Sequence, residues 1–384
     1  MATEKSIKRP NRSEPMLSSF LNSRGCQLGL PISGTFELTA RCNFDCKMCY
    51  VHLKDNVEQL KQRELTADQW LSIASDARDM GMIFLLLTGG EPFLREDFPK
   101  IYTELIKMGM MVSINTNASL YNEELRQLFR RYPPSRLNVT LYGGSEETYR
   151  SLCGNASFER VVANLRSMRE DELSVRLNVS MTPYNVQDME KIDAVSRELN
   201  LQAKAASYMY PPVRVDGSIG ENAARFTAKE AGCVMAKWHQ LRDTAEMFQL
   251  RAEKIRKMEP ADMADICADV EGEGVMCRAG RSSFWMTWDG CMRPCGTMDI
   301  DGTYPLRDGF TKAWEDVRKM TAAIRLPKEC AHCHSRENCG VCAAICYTET
   351  GAFDQKPAYL CTMTESQCDE TIRLADMMKG EAQK

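Results

Sequence analysis

The chain has 384 residues, of which 43% are hydrophobic and 27% are charged, and its formal net charge at pH 7 is −4. This length predicts two domains, the composition is typical of a globular protein, and the slight negative charge gives no electrostatic basis for binding nucleic acid. The longest apolar run, residues 82–87, is too short to span a membrane, and the N-terminus lacks the apolar segment of a signal peptide. We therefore expect a cytoplasmic protein that neither crosses a membrane nor binds nucleic acid.

The predicted elements begin after a polar N-terminal arm. Residues 1–32 show no periodicity, which predicts an extended or partly disordered segment. From residue 33 to residue 210, six predicted strands alternate with amphipathic helices. Buried strands separated by helices pair in parallel through right-handed crossovers. Because a closed barrel needs eight such units, we predict an α/β fold with a partial (β/α)6 TIM-like barrel, whose chemistry lies at the carboxyl ends of the strands.

Three further segments follow the predicted barrel. Residues 211–276 are predicted to be a helical linker, with one helix from about Thr227 to Met258 and another from Pro260 to Asp269. Residues 277–361 contain nine cysteines and little apolar periodicity, so this small domain needs bound metal to fold. Residues 362–384 predict a C-terminal helix.

The cysteine content is the most informative feature of the sequence. There are 17 cysteines and only four histidines, and in a reducing compartment clustered cysteines bind metal more often than they form disulfides. Cys42, Cys46 and Cys49 follow the first strand with the spacing C-x3-C-x2-C. Four thiolates would saturate a cubane iron–sulfur cluster, whereas three leave one iron open. The alternatives are a zinc site completed from elsewhere, or thiols that act as small core residues.

A second motif, TGGEP at residues 88–92, ends the second strand, so both motifs are predicted at the same rim of the barrel. Together, CNFDCKMCY and TGGEP resemble the radical S-adenosylmethionine (SAM) superfamily, over residues 35–210. The resemblance implies that the open iron of a [4Fe–4S] cluster binds SAM. It also implies that one electron from the cluster cleaves SAM to methionine and a 5′-deoxyadenosyl radical.

The resemblance also implies which residues surround SAM. Tyr50 would lie beside the adenine, Gly89 and Gly90 would let the backbone approach SAM closely, and Glu91 would accept a hydrogen bond from its ammonium group. Tyr142 stands where relatives frequently have Asp, so contacts with ribose or carboxylate are expected to be rearranged. Polar residues at the ends of later strands complete the predicted set: Asn117, Thr140, Asn178 and Ser180.

The C-terminal cysteines resemble the SPASM extension, which implies two auxiliary [4Fe–4S] clusters and hence an iron–sulfur-stapled domain. The predicted outer-cluster ligands are Cys330, Cys333, Cys339 and Cys361. The predicted inner-cluster ligands are Cys277, Cys295 and Cys342, and zinc is the alternative metal for the region. The remaining cysteines are interpreted as ordinary core or surface thiols: Cys26, Cys153, Cys233, Cys267 and Cys368.

The sequence does not identify the fourth ligand of the inner cluster, because the family pattern expects Cys at position 343 and this chain has Ala. Cys346 lies one helical turn from Cys342 and is the predicted ligand. Cys291 lies about 13 Å from Cys295 along a predicted hairpin strand with an Asp-Gly turn, too far to share a cubane. An open iron site is the alternative.

SPASM relatives mostly modify ribosomally made peptides, so the resemblance implies a peptide substrate that gains a thioether, a carbon–carbon bond or an epimerised centre. A flavodoxin or ferredoxin would be the electron donor. The main alternative is a radical SAM oxidoreductase acting on a small molecule such as an aminosugar or amino acid, and an electron carrier or zinc-stapled binding protein would not need the TGGEP motif. Gly296 stands where sulfatase-maturating relatives have Asp, which disfavours formylglycine formation. With about forty residues before Cys42, no leader-binding module is expected there.

Overall fold

The structure is a computed structural model that describes residues 17–51, 57–213, 220, 222, 224–258 and 273–382. Six strands pair in parallel in their sequence order. They are β1 (Ser33–Glu37), β2 (Phe84–Thr88), β3 (Met111–Thr116), β4 (Arg136–Thr140), β5 (Val175–Ser180) and β6 (Gln202–Ala206). This arrangement confirms the predicted partial barrel.

Helices α1 to α8 precede or connect these strands. They are α1 (Leu17–Leu28), α2 (Val57–Arg63), α3 (Ala67–Asp79), α4 (Phe98–Lys107), α5 (Glu123–Arg131), α6 (Glu146–Cys153), α7 (Phe158–Glu170) and α8 (Met189–Glu198). Their starts follow local sequence: Thr66 forms a capping box with Gln69, and Asn122 accepts from the amide of Leu125. The helices bury one apolar face against the sheet, and the strand residues Leu87, Ile114 and Val139 are fully buried.

The N-terminal segment differs from its prediction. Residues 17–28 form α1 instead of an extended arm. The buried side chain of Asn22 accepts hydrogen bonds from Ser33 Oγ at 2.9 Å and from Ser282 Oγ at 3.2 Å, and Trp314 Nε1 donates to Gly29 O at 2.8 Å. These partners are distant in sequence and polar, so apolar periodicity does not reveal the helix.

The predicted linker helix is divided into α9 (Ala228–Arg242) and α10 (Ala245–Arg256). The division follows from Thr244, which accepts from the amide of Met247 and so caps a new helix. The predicted second linker helix, residues 260–269, lies outside the described residues. The C-terminal helix α15 (Ala358–Ala382) starts earlier than predicted and packs along α9.

The cysteine-rich segment, residues 277–361, extends the barrel sheet. Strand β7 (Ser283–Met286) pairs in parallel with β1 and forms a hairpin with β8 (Met292–Arg293), with Gly290 at φ +90° in the turn. The sheet order is therefore β6-β5-β4-β3-β2-β1-β7-β8. The segment continues through α11 (Pro305–Asp308), α12 (Phe310–Ala323), α13 (Lys328–Ala331) and α14 (Ala343–Thr350). Within the described part of the chain, every helix is too short or too polar to cross a membrane.

Candidate active site

A cavity of about 530 Å³, here called the catalytic cavity, opens at the carboxyl ends of β1 to β6. The structure brings Cys42, Cys46 and Cys49 together on its wall. Of the eight residues predicted to contact SAM, seven also line it: Tyr50, Gly89, Gly90, Asn117, Thr140, Asn178 and Ser180. Their convergence follows from parallel pairing, which places successive strand ends at one edge.

The cysteine loop, residues 42–49, is held by the turn at residues 89–91. Gly90 N donates to Thr39 O and Glu91 N donates to Arg41 O, both at 2.8 Å. A Cβ atom at Gly90 would overlap the carbonyl oxygen of Arg41, and one at Gly89 would lie 2.6 Å from the oxygen of Thr39. The glycines are therefore required for contact with the chain's own backbone, whereas the sequence interpretation gave SAM as the reason.

Glu91 is the predicted contact residue that does not line the catalytic cavity. Its fully buried carboxylate accepts from Thr116 Oγ1 at 2.8 Å, from Asn117 N at 2.7 Å and from Phe93 N at 3.2 Å. Burial raises the pKa of Glu91 to about 7, although these hydrogen bonds oppose the rise. The carboxylate thus joins the ends of β2 and β3, and its contact with the SAM ammonium group stays a prediction.

Asn117 connects the end of β3 to the cysteine loop. Its Nδ2 donates to Asn43 Oδ1 at 2.9 Å and lies 3.9 Å from Cys42 Sγ, while Asn43 donates to Ser119 Oγ at 2.8 Å. Burial raises the pKa of the Cys42 thiol to about 12. A buried thiol such as Cys42 becomes a ligand only when the positive charge of a metal stabilises its thiolate form. This behaviour is expected of a cysteine that binds an iron–sulfur cluster.

Four tyrosines line the cavity, and the sequence interpretation missed two of them as site residues, Tyr208 and Tyr210. The Tyr210 ring lies 6.2 Å from the Tyr50 ring and 4.9 Å from the Tyr208 ring, centroid to centroid. Their position could have identified them as site residues, because the segment YMYPP follows the sixth strand, at the end where the site lies.

Tyr208 also belongs to a buried ionic network that joins the barrel to the cysteine-rich segment. Its hydroxyl donates to Glu349 Oε1 at 2.6 Å, and Arg225 binds both oxygens of Glu349 at 2.8 and 3.1 Å. The Arg225 guanidinium lies 3.7 Å from the centre of the Tyr359 ring. This network fixes α14 and the start of α15 against the catalytic cavity.

The four predicted outer-cluster cysteines converge. Cys330, Cys333, Cys339 and Cys361 line a small cavity of about 40 Å³, here called the outer thiol cavity. Burial raises the pKa of Cys330 to about 11, and the three neighbouring thiols add to the rise. The donor set and its convergence fit a cluster with four cysteine ligands.

The predicted inner-cluster cysteines are only partly brought together. Cys277 and Cys295 line a third cavity of about 730 Å³, here called the inner thiol cavity. Cys342 precedes α14, and burial raises its pKa, with smaller contributions from Cys295 and Cys277. Cys346 is completely buried and lines neither thiol cavity. Among the described residues, no three His, Cys, Asp or Glu side chains are arranged to hold a single metal ion.

Residues 36–196 match the family model of the radical SAM superfamily. These residues therefore form a radical SAM domain. An AdoMet-dependent heme synthase of Methanosarcina barkeri is 24% identical over 339 residues, which cover 84% of this chain and 94% of that protein. A probable GTP 3′,8-cyclase of Saccharolobus islandicus is 30% identical over 166 residues, 43% of this chain and 52% of that protein.

Two solved structures show the same fold across most of the chain. Streptococcus suis SuiB bound to the precursor peptide SuiA has a TM-score of 0.63 and 15% identity, and the match covers 92% of this chain and 84% of SuiB. The protein anSMEcpe with bound AdoMet and Cp18Cys peptide has a TM-score of 0.63 and 14% identity, over 90% of this chain and 99% of anSMEcpe. The match of residues 36–196 to the radical SAM family model confirms the predicted [4Fe–4S] cluster and SAM as cofactors, and the cysteine-rich segment is consistent with a SPASM extension.

Proposed function

We propose that this protein abstracts a hydrogen atom from a side-chain-sized group in the catalytic cavity and passes the substrate electron to two auxiliary [4Fe–4S] clusters. One observation carries the proposal: the three loop cysteines and Tyr210 line the same catalytic cavity. Tyr210 in turn lies within electrostatic range of Cys342 and Cys295, both predicted inner-cluster ligands. A reacting group in this cavity would lie near both the radical source and an electron acceptor.

When bound, the cluster and SAM supply the 5′-deoxyadenosyl radical, and the chain's own residues position them and keep water away. The turn at residues 89–91 and Asn117 fix the cysteine loop through backbone and side-chain hydrogen bonds. Phe44 and Met48 are buried apolar residues of that loop, so they exclude water from the iron and from the radical. The outer thiol cavity would hold one auxiliary cluster, and Cys277, Cys295 and Cys342 would contribute to the other.

A peptide side chain is the substrate group that the cavity suits best. A volume of about 530 Å³ has to hold SAM as well, which leaves room for a side chain and not for a whole peptide. Among the described lining residues, Arg41 is the one cation, and its guanidinium binds both carboxylate oxygens of Glu64 at 2.8 and 3.0 Å. The lining therefore favours a neutral group. SuiB and anSMEcpe, which share the fold, were solved with peptides.

An iron porphyrin is the second candidate, and the similarity to the heme synthase along nearly its whole length favours it. Like a peptide, a porphyrin could insert one side chain into the cavity. The scarcity of free cations among the described lining residues argues against it, because porphyrin carboxylates need basic partners. An amino acid or aminosugar remains the small-molecule alternative.

The test uses anaerobically reconstituted protein with SAM, a strong reductant or reduced flavodoxin, and substrates deuterated on their side chains. Peptide libraries and an iron porphyrin are offered separately, and 5′-deoxyadenosine is measured by mass spectrometry. Deuterium in 5′-deoxyadenosine from a peptide supports the proposal, and deuterium from the porphyrin supports the second candidate. The triple variant Cys42→Ala/Cys46→Ala/Cys49→Ala is the control. If wild-type protein forms no more 5′-deoxyadenosine than this variant, the radical assignment is wrong.

A further inference from the structure

The inner thiol cavity contains a third cysteine that the sequence interpretation set aside. Cys26, on α1, lines it together with Cys277 and Cys295. All three cysteines are free thiols, Cys277 is exposed, and Cys26 and Cys295 are half-buried. These cysteines come from segments about 250 residues apart in sequence, so their convergence is a property of the fold.

The position of Cys26 is fixed by the packing of α1. Asn22, one turn earlier, accepts hydrogen bonds from the first residue of β1 and from Ser282, the residue before β7. A Cβ atom at Gly25 would overlap the side chain of Ile32, so the helix lies in close contact with the chain that enters β1. The Cys26 side chain is thus presented to the inner thiol cavity by a helix held at both strands.

Polar and charged side chains line the inner thiol cavity together with Cys26. Cys26 Sγ donates to Ser282 Oγ at 3.3 Å, and that hydroxyl donates in turn to Asn22 Oδ1 at 3.2 Å. Arg278 and Arg281 line the same cavity. Arg281 Nη1 is oriented by the carbonyl oxygens of Val275 and Met276, at 3.1 and 3.3 Å.

Cys295 connects this cavity to the rest of the predicted inner set. It lines the inner thiol cavity and also lies close enough to Cys342 to influence that thiol electrostatically. Cys346, the ligand predicted from sequence, is surrounded differently. Its neighbouring thiols are Cys342 and also Cys330 and Cys339 of the outer set, and it does not line the inner thiol cavity.

We propose that Cys26 is the fourth thiolate ligand of the inner auxiliary cluster, together with Cys277, Cys295 and Cys342. The proposal rests on the auxiliary clusters of the proposed function. It has a chemical consequence: a cluster with four cysteine ligands has no iron free for a substrate thiol. Such a cluster serves as an electron acceptor, and thioether formation through direct binding of a substrate cysteine to iron is excluded.

The first test needs no substitution. Wild-type holoprotein and protein stripped of iron by a chelator are labelled with a maleimide, and each cysteine is quantified by peptide mass mapping. Since iron removes the reactive thiolate, Cys26 should label at least about tenfold more slowly in the holoprotein. Cys233, a half-buried thiol of α9, is the matched control and should label equally in both forms. Equal labelling of Cys26 in both forms would overturn the proposal.

The second test compares Cys26→Ala with Cys346→Ala by electron paramagnetic resonance of the reduced clusters. Cys26→Ala should change the spectrum of one auxiliary cluster, and β-mercaptoethanol should restore the wild-type signal by occupying the open iron. Cys346→Ala should leave the spectrum unchanged. A protein with about four iron atoms per chain would contradict the auxiliary clusters themselves. Suppose instead that the protein holds about twelve iron atoms, and that Cys346→Ala, not Cys26→Ala, changes the spectrum and responds to β-mercaptoethanol. That result would contradict only the role of Cys26.

Discussion

The backbone amide of Glu91 donates a 2.8 Å hydrogen bond to the carbonyl oxygen of Arg41, the residue directly before Cys42. The two sequence motifs, separated by about forty residues, are therefore one structural unit in which the end of β2 holds the start of the cysteine loop. Buried backbone groups need such partners, and the pairing fixes where the first thiol lies.

Gly90→Ala should disturb this unit, because its Cβ would overlap the carbonyl of Arg41. We expect the free energy of unfolding to fall by about 1–3 kcal/mol and the loop cluster to assemble incompletely. Iron content and urea unfolding measure both effects. Gly380→Ala is the matched control, since no atom lies within 4 Å of its Cβ position. Full iron content and unchanged stability in Gly90→Ala would contradict the role given to this turn.

Glu91→Ala should destabilise the protein even without SAM. The substitution leaves the donors of Thr116, Asn117 and Phe93 without their acceptor, at a cost of roughly 2–4 kcal/mol. Glu91→Gln retains one acceptor oxygen and should lose less. Urea unfolding of the iron-free protein is the measurement. If Glu91 served only the SAM ammonium group, both variants would unfold like wild type and only SAM binding would weaken.

The parts of the structure that were predictable from sequence are those set by short-range pattern. Apolar strand segments between amphipathic helices predicted the six parallel strands in order, and the cysteine spacing predicted the two groups of thiols that line common cavities, the loop thiols and the outer set. The docking of α1 was not predictable, because it depends on Asn22 bonding to Ser282, 260 residues away. The orientation of Glu91 depends in the same way on donors about 25 residues later in the chain.

The outer thiol cavity gives a third prediction, on α15. Cys361→Ser should lower the iron content by about four atoms per chain, because it removes one of the four thiols. It should also lower the melting temperature, since the proposed outer cluster would cross-link α15 to the segment before it. Cys368→Ser is the control on the same face of the same helix, two turns later and away from the cavity lining. Equal iron loss in both variants would show that helix disruption, and not ligand loss, is responsible.

The last prediction concerns acid stability and depends on His239, near the end of α9. Its Nδ1 is buried and has no hydrogen-bond partner, and burial, together with the charge of Arg251, lowers the pKa of His239 to about 4. The unfolded chain therefore binds this proton near pH 6.5, whereas the folded protein binds it only near pH 4.

Stability contributed by neutral His239 is accordingly present above pH 6.5 and lost as the pH falls toward 4. His239→Gln cannot be protonated, so between pH 7 and pH 4.5 it should lose about 1–3 kcal/mol less unfolding free energy than wild type, a range that allows for partial exposure. Urea unfolding of the iron-free protein at both pH values measures the difference. His334→Gln, at an exposed histidine, should follow the wild-type curve. If His239→Gln also follows that curve, the buried imidazole does not govern acid stability.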